Sequence, residues 1–140
     1  MTAAPTPEAL PPAILEGIRQ FNSREFYECH DTIEEHWVRE SRPVREFYQG
    51  ILQIGVAFHH VLAQNPRGAL KMLERGIPKL EAFLPACEGV DVAALKAQAL
   101  ACRAAIERLD PGRVGDFDVA LFPLIRVDGE IPFLPEGPPP

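Results

Sequence analysis

Residues 44–64 constrain the fold most. This stretch, with FYQGILQIGVAFHHVL at its heart, is too long for a strand and apolar over most of its circumference. A membrane span needs about 20 apolar residues, but Arg45, Glu46, Gln49, Gln53, His59 and His60 interrupt this one. Such a helix is stable only when other helices enclose it. The expectation is therefore the central helix of a bundle.

The flanking segments supply the enclosure. Pro11 and Pro12 can open a first helix, because proline is tolerated in the first turn, and Ile14, Leu15, Ile18 and Phe21 form its apolar stripe. Asn22 followed by Glu25 reads as a capping-box start for a second helix running to about Arg39. Glu40-Ser41-Arg42-Pro43 breaks it before the central helix. Asn65-Pro66 then begins a fourth helix carrying Leu70, Leu73, Ile77, Leu80 and Leu84, with a kink predicted at Pro78. Gly89 ends the next turn. Asp91 caps a fifth helix with Val92, Leu95, Ala99, Cys102, Ile106 and Leu109 inward. Residues 116–134 have no helical period, yet Phe117, Leu121, Phe122, Leu124 and Ile125 are too apolar for a free tail. The predicted class is all-α: a compact bundle of about five helices with an extended C-terminal strap. One domain spans 1–140, with a loose arm over 1–10, the bundle over 11–110, the strap over 116–134 and a disordered end over 135–140.

Charge narrows the partners. The chain carries 20 acidic against 14 basic residues, a net charge of −6, and no Lys/Arg run. Nucleic acids are held largely by phosphate neutralisation, so that partner is not expected. Cys29, Cys87 and Cys102 have no metal-site spacing and read as free thiols of a reducing compartment. The start, MTAAPTPEALPP, lacks the basic and apolar regions of a secretory signal. A cytoplasmic protein without membrane attachment is expected.

Two helices carry polar residues where a plain bundle would use leucine. Phe26, Tyr27, His30, Ile33, Glu34 and Trp37 share one face of the second helix, a face expected to be buried. On the third, Gln49, Gln53, Val56 and His60 fall within an arc of about 60°. An antiparallel pairing of the two helices puts facing positions at a sum of about 84, from a rise of about 1.5 Å per residue. His30 then lies level with Gln53 or Ile54, Glu34 with Gln49 or Gly50, and His60 about two turns away. Buried ionisable groups need partners, so His30 and Glu34 are expected to be mostly buried and bonded to each other or to the glutamines. His30 and Glu34 are only two sound donors for a metal, and catalytic zinc usually takes three, so no metal and no cofactor are expected. No phosphate-binding glycine loop, HExxH, GxSxG or thiol–imidazole dyad is present.

These residues resemble the family catalogued as domain of unknown function 309, whose pattern runs roughly F-N, an acidic-aromatic step, then H-E-x-x-E-x-x-W. It stands here as Phe21-Asn22, Glu25-Phe26-Tyr27, His30-Asp31, Glu34 and Trp37. The following helix is similar through Phe47, Gln49-Gly50, Gln53, Gly55, Ala57 and His60, and the next step through Asn65, Gly68-Ala69 and Lys79-Leu80. Asp31 replaces the usual Glu, and Gly55 the more usual alanine. The resemblance covers about 14–84. It implies a compact helical fold and no particular activity, and it groups His30, Glu34, Trp37, Gln49, Gln53 and His60 as one candidate ligand-binding cluster.

The leading functional expectation is a binding or interaction module with a polar pocket between the second and third helices, its partner an unknown small molecule or protein. Self-association stays open. One alternative is a metal-dependent hydrolase using His30 and Glu34 with His60 as a distant ligand; another is a purely structural polar core.

Overall fold

The computed structural model describes residues 9–136. The predicted arm and tail lie mainly outside that range, although Leu10 packs on the core. Five α-helices form the body: α1 (Pro12–Asn22), α2 (Phe26–Trp37), α3 (Arg45–Leu62), α4 (Pro66–Gly76) and α5 (Val92–Arg108). A two-residue hairpin, β1 (Ala86–Cys87) with β2 (Val90–Asp91), stands before α5.

Helix α3 is the axis. Phe47, Ile51, Ile54, Ala57 and Phe58 are fully buried in it, and α2, α4 and the 3₁₀ turn at Ile77–Phe83 all pack against it. Each large apolar side chain so buried is worth roughly 1.5–3 kcal/mol. Gly50 sets one approach: a Cβ there would meet the Gly76 carbonyl at 3.2 Å, and a Cβ on Gly76 would meet the Gly50 carbonyl at 3.1 Å. The two glycines let the α3 and α4 backbones nearly touch. Gly50, one of the positions level with Glu34 in the antiparallel register, thus admits α4 rather than α2.

The predicted α4 kink takes another form. The α-helix ends at Gly76, and Pro78 falls in the first turn of the 3₁₀ segment Ile77–Phe83, where its missing N–H costs nothing. Asn65 caps α4 by accepting from Gly68 N at 3.0 Å, and Asp91 caps α5 by accepting from Ala94 N at 2.9 Å.

The capping box at α2 does not form. Glu25 is the N-cap, without a side-chain cap bond. Asn22 closes α1 and, fully buried, turns towards the C-terminal segment. It donates to the Ile125 carbonyl at 3.0 Å and the Pro132 carbonyl at 2.8 Å, and accepts from Ile125 N at 2.7 Å. Gln98 of α5 grips the same segment, accepting from Leu124 N at 3.1 Å. Ser23 Oγ accepts from Leu134 N at 3.0 Å. Phe117, Phe122 and Ile125 fill the core beneath, and Phe122 meets Phe26 edge-on at 5.2 Å between centroids. The strap is not wholly extended: it follows a 3₁₀ turn at Pro111–Asp116 and contains another at Val119–Leu121.

Replacing Asn22 with leucine would strand the Ile125 amide and two carbonyls in a dry site. A loss of about 2–3 kcal/mol is expected, with faster amide hydrogen exchange over 122–134. An unchanged urea midpoint and unchanged exchange would contradict it.

Candidate functional site

The polar residues of α2 and α3 do not converge. The α2 face predicted to be buried is divided: Phe26 and Ile33 are in the core, whereas Tyr27 is 57 % exposed. His30 and Glu34 are half-exposed, with side chains 31 % and 47 % accessible. His30 Nε2 stands 3.2 Å from Glu34 Oε2, and its Nδ1 stands 3.2 Å from Asp31 Oδ1. They reach each other as expected, but not Gln49 or Gln53, and they are not mostly buried. The physical reason is rotation about the helix axis. Cys29, Phe26 and Ile33 claim the inward arc of α2, which turns His30 and Glu34 to its rim.

The residues expected on α3 scatter likewise. Gln53 faces the 3₁₀ turn and accepts from Lys79 Nζ at 2.9 Å. Gln49 is half-buried and makes no side-chain hydrogen bond among the described residues. His60 turns to the α4 N-terminus, where its Nδ1 lies 3.3 Å from Asn65 Nδ2. Burial there pushes its imidazole below its usual range, and neighbouring His59 adds to the effect. Trp37 packs on the edge of the core with the Arg45 guanidinium 4.3 Å above its ring. The six residues therefore form neither one pocket nor a closed polar core.

The antiparallel register itself is right. Phe26 meets Phe58 at 5.6 Å and Tyr27 meets His59 at 5.6 Å between centroids. A shallow pocket of about 150 Å³ opens there, lined by Phe26, Tyr27, His30, Val56 and His59. Thus His59, rather than His60, shares a surface with His30. His30, Asp31 and Glu34 present ligand atoms within 4.8 Å of one another. That spacing could hold a metal ion, and in this arrangement each His30 ring nitrogen faces one of the two carboxylates. With His60 held by Asn65, the third donor of the hydrolase alternative faces a different neighbour.

A second polar network escaped sequence reasoning. Arg42 donates to both oxygens of Glu40, from Nε at 3.0 Å and from a terminal nitrogen at 2.8 Å. His36 Nε2 lies 3.1 Å from the same carboxylate. The His36 ring meets Tyr48 edge-on at 5.6 Å. Tyr48, fully buried, donates its hydroxyl to Glu88 at 2.5 Å. Burial, with Glu88 beside it, holds the Tyr48 phenol well above its usual range. The His36–Glu40 spacing of four was a legible signal, hidden because Glu40-Ser41-Arg42-Pro43 reads first as a helix breaker. Nothing local could pair Tyr48 with Glu88.

The thiols are inert. Burial pushes Cys102 up to about 12 and Cys87, with Glu88 adding, up to about 11. Cys29 lies higher still for the same reason. None is a thiolate nucleophile near neutral pH.

Glu40 is the network's acid. Hydrogen bonding from Arg42, with a further bond from His36, lowers its carboxyl from 4.5 to about 2. A carboxyl lowered on folding contributes stability that is full above its unfolded value and is lost as pH falls through its folded value. Glu40→Gln should therefore cost about 1 kcal/mol at neutral pH, since Arg42 is partly solvated. It should also flatten the acid limb between pH 4.5 and about 2. Urea midpoints measured across that range check this; a variant curve parallel to that of the parent would contradict it.

Comparison with known proteins adds a family likeness but no chemistry. Residues 14–72 match the family model described as Domain of unknown function (DUF309). The chain is 31 % identical over 74 residues to the "Uncharacterized protein YpuF" of Bacillus subtilis (strain 168), a span that is 51 % of this chain and 42 % of that protein. The chain thus matches less than half the length of that curated relative. The matched residues run from α1 into α4 and include both sides of the Tyr27–His59 contact. Residues 14–72 are thus similar to the domain of unknown function 309 family.

Proposed function

We propose that the protein is an interaction module whose α2–α3 edge docks a basic, amphipathic segment of a partner protein. The observation that carries this is Tyr27, 57 % exposed at the mouth of the Phe26–Val56 pocket. Seen down α2, Tyr27, Asp31, Glu34 and Val38 lie on one stripe, and Val38 is 59 % exposed. Leu62, 51 % exposed, stands one turn beyond His59 on α3. The edge is therefore apolar at its ends and acidic between. Glu28 and Glu35 flank it, and α2 contains no Lys or Arg.

Size separates the kinds of ligand. Small-molecule sites are clefts of roughly 300–1,000 Å³. The pocket here, at about 150 Å³, takes one apolar side chain of a larger partner. The acidic stripe would select lysine or arginine around that side chain and steer its approach. No described helix is long and apolar enough to cross a membrane.

Calorimetric titration with a helical Leu/Lys peptide of roughly four turns tests the proposal, with a Leu/Glu peptide as control. Binding is expected for the basic peptide alone, weakening as salt rises. Tyr27→Ala and Glu34→Lys should each weaken it by about tenfold, whereas Glu107→Lys, exposed on α5, should not. Equal loss with Glu107→Lys, or none with Tyr27→Ala and Glu34→Lys, would show general charge attraction and overturn the site.

A further inference from the structure

We infer a second, separate binding site, for a small organic amine, in the cleft between α1 and the paired turns at Glu88-Gly89 and Asp128-Gly129. The cleft has a volume of about 570 Å³, within the range of roughly 300–1,000 Å³ that small-molecule sites occupy. Its walls are apolar: Leu10 and Leu15 on one side, Ala86 and Val127 on the other.

The two turns are built together. Cys87 pairs with Val90, and Val127 bridges both Val90 and Glu130. Asp128 N donates to the Gly89 carbonyl at 2.8 Å, locking one turn onto the other. Gly89 has φ +83°, and a Cβ there would meet Asp128 Oδ1 at 2.5 Å. The missing side chain makes room for the Asp128 carboxylate over the hairpin.

Charge then chooses the ligand. Among the described residues, the ionisable groups lining the cleft are Glu88, Asp128 and the Cys87 thiol, with no Lys, Arg or His. Glu88 accepts the Tyr48 hydroxyl. Asp128 makes no side-chain hydrogen bond or ion pair among the described residues, so its carboxylate is available to a cation. An anion would meet the Asp128 carboxylate, with no cationic side chain among the described lining residues. Cys87, up to about 11, stays protonated and adds no covalent chemistry. The ligand class is therefore a primary or secondary amine on an apolar body, with the nitrogen at Asp128 and the body against Leu10, Leu15 and Val127.

The experiment is an amide chemical-shift titration of the whole chain with phenethylamine, and in parallel with 3-phenylpropionate as the acid of matched shape. The amine is expected to shift residues 9–15, 86–89 and 127–128 saturably, leaving the α2–α3 edge unmoved; the acid is expected to shift none. Asp128→Asn preserves the left-handed backbone at φ 51°, which asparagine tolerates, and should weaken amine binding about tenfold. Ala86→Trp, placed on an exposed strand position, should fill the cleft and abolish the shifts. Absence of saturable shifts in the cleft, equal binding of the acid, or full affinity in Asp128→Asn would each overturn the assignment. Because the readout is residue by residue, failure here and failure at the α2–α3 edge are told apart.

Discussion

Enclosure of α3 on nearly every side is the constraint on which the rest depends. Phe47, Ile51, Ile54 and Phe58 cannot meet water without losing several kcal/mol in total, so neighbours must cover them. The covering elements meet α3 along different lines. Helix α2 takes the line of Gly55 and Phe58, where Cys29 and Phe26 meet them and Phe21 of α1 closes over both. Helix α4 takes the line of Gly50, where only hydrogens separate backbone from backbone. Once both are seated, every remaining position on α3 has its neighbour assigned.

That assignment decides the chemistry. Gln53 lies on the α4 side and meets Lys79; His60 lies near the start of α4 and meets Asn65. His30 and Glu34 are left at the rim of α2 with Asp31. These four polar groups, which would be costly in the interior, are thus distributed to edges, each with a local partner. Among the described residues, Asn22 is the fully buried polar side chain, and its side-chain bonds serve the strap. The consequence is a rigid apolar centre with its recognisable chemistry outside: an acidic aromatic edge at α2–α3, and an amine-sized cleft beside the turns.

Helical periodicity made most of the fold legible. The apolar stripes of α1, α3 and α5, the Asp91 cap and the antiparallel register of α2 on α3 all follow from spacing within one segment. What spacing does not contain is rotation. Gln49 and Gln53 face away from His30 because α4 also needs a line on α3, and α4 is remote in sequence. Asn22 shows the same limit: three residues before Glu25 it has the signature of a cap, yet its bonds go to Ile125 and Pro132, beyond the reach of local pattern. Tyr48 with Glu88 is another pairing that only the folded chain reveals.

The central claim is that the polar residues of α2 and α3 act separately, not as one cluster. A double-mutant cycle between His30→Ala and Gln53→Ala, read in urea midpoints, tests it most directly, with Lys79→Ala and Gln53→Ala as the positive control. Independent sites add to within about 0.3–0.5 kcal/mol. The account predicts coupling inside that bound for His30 with Gln53 and outside it for Lys79 with Gln53. Coupling of about 1 kcal/mol or more between His30 and Gln53 would contradict it and restore a single shared pocket.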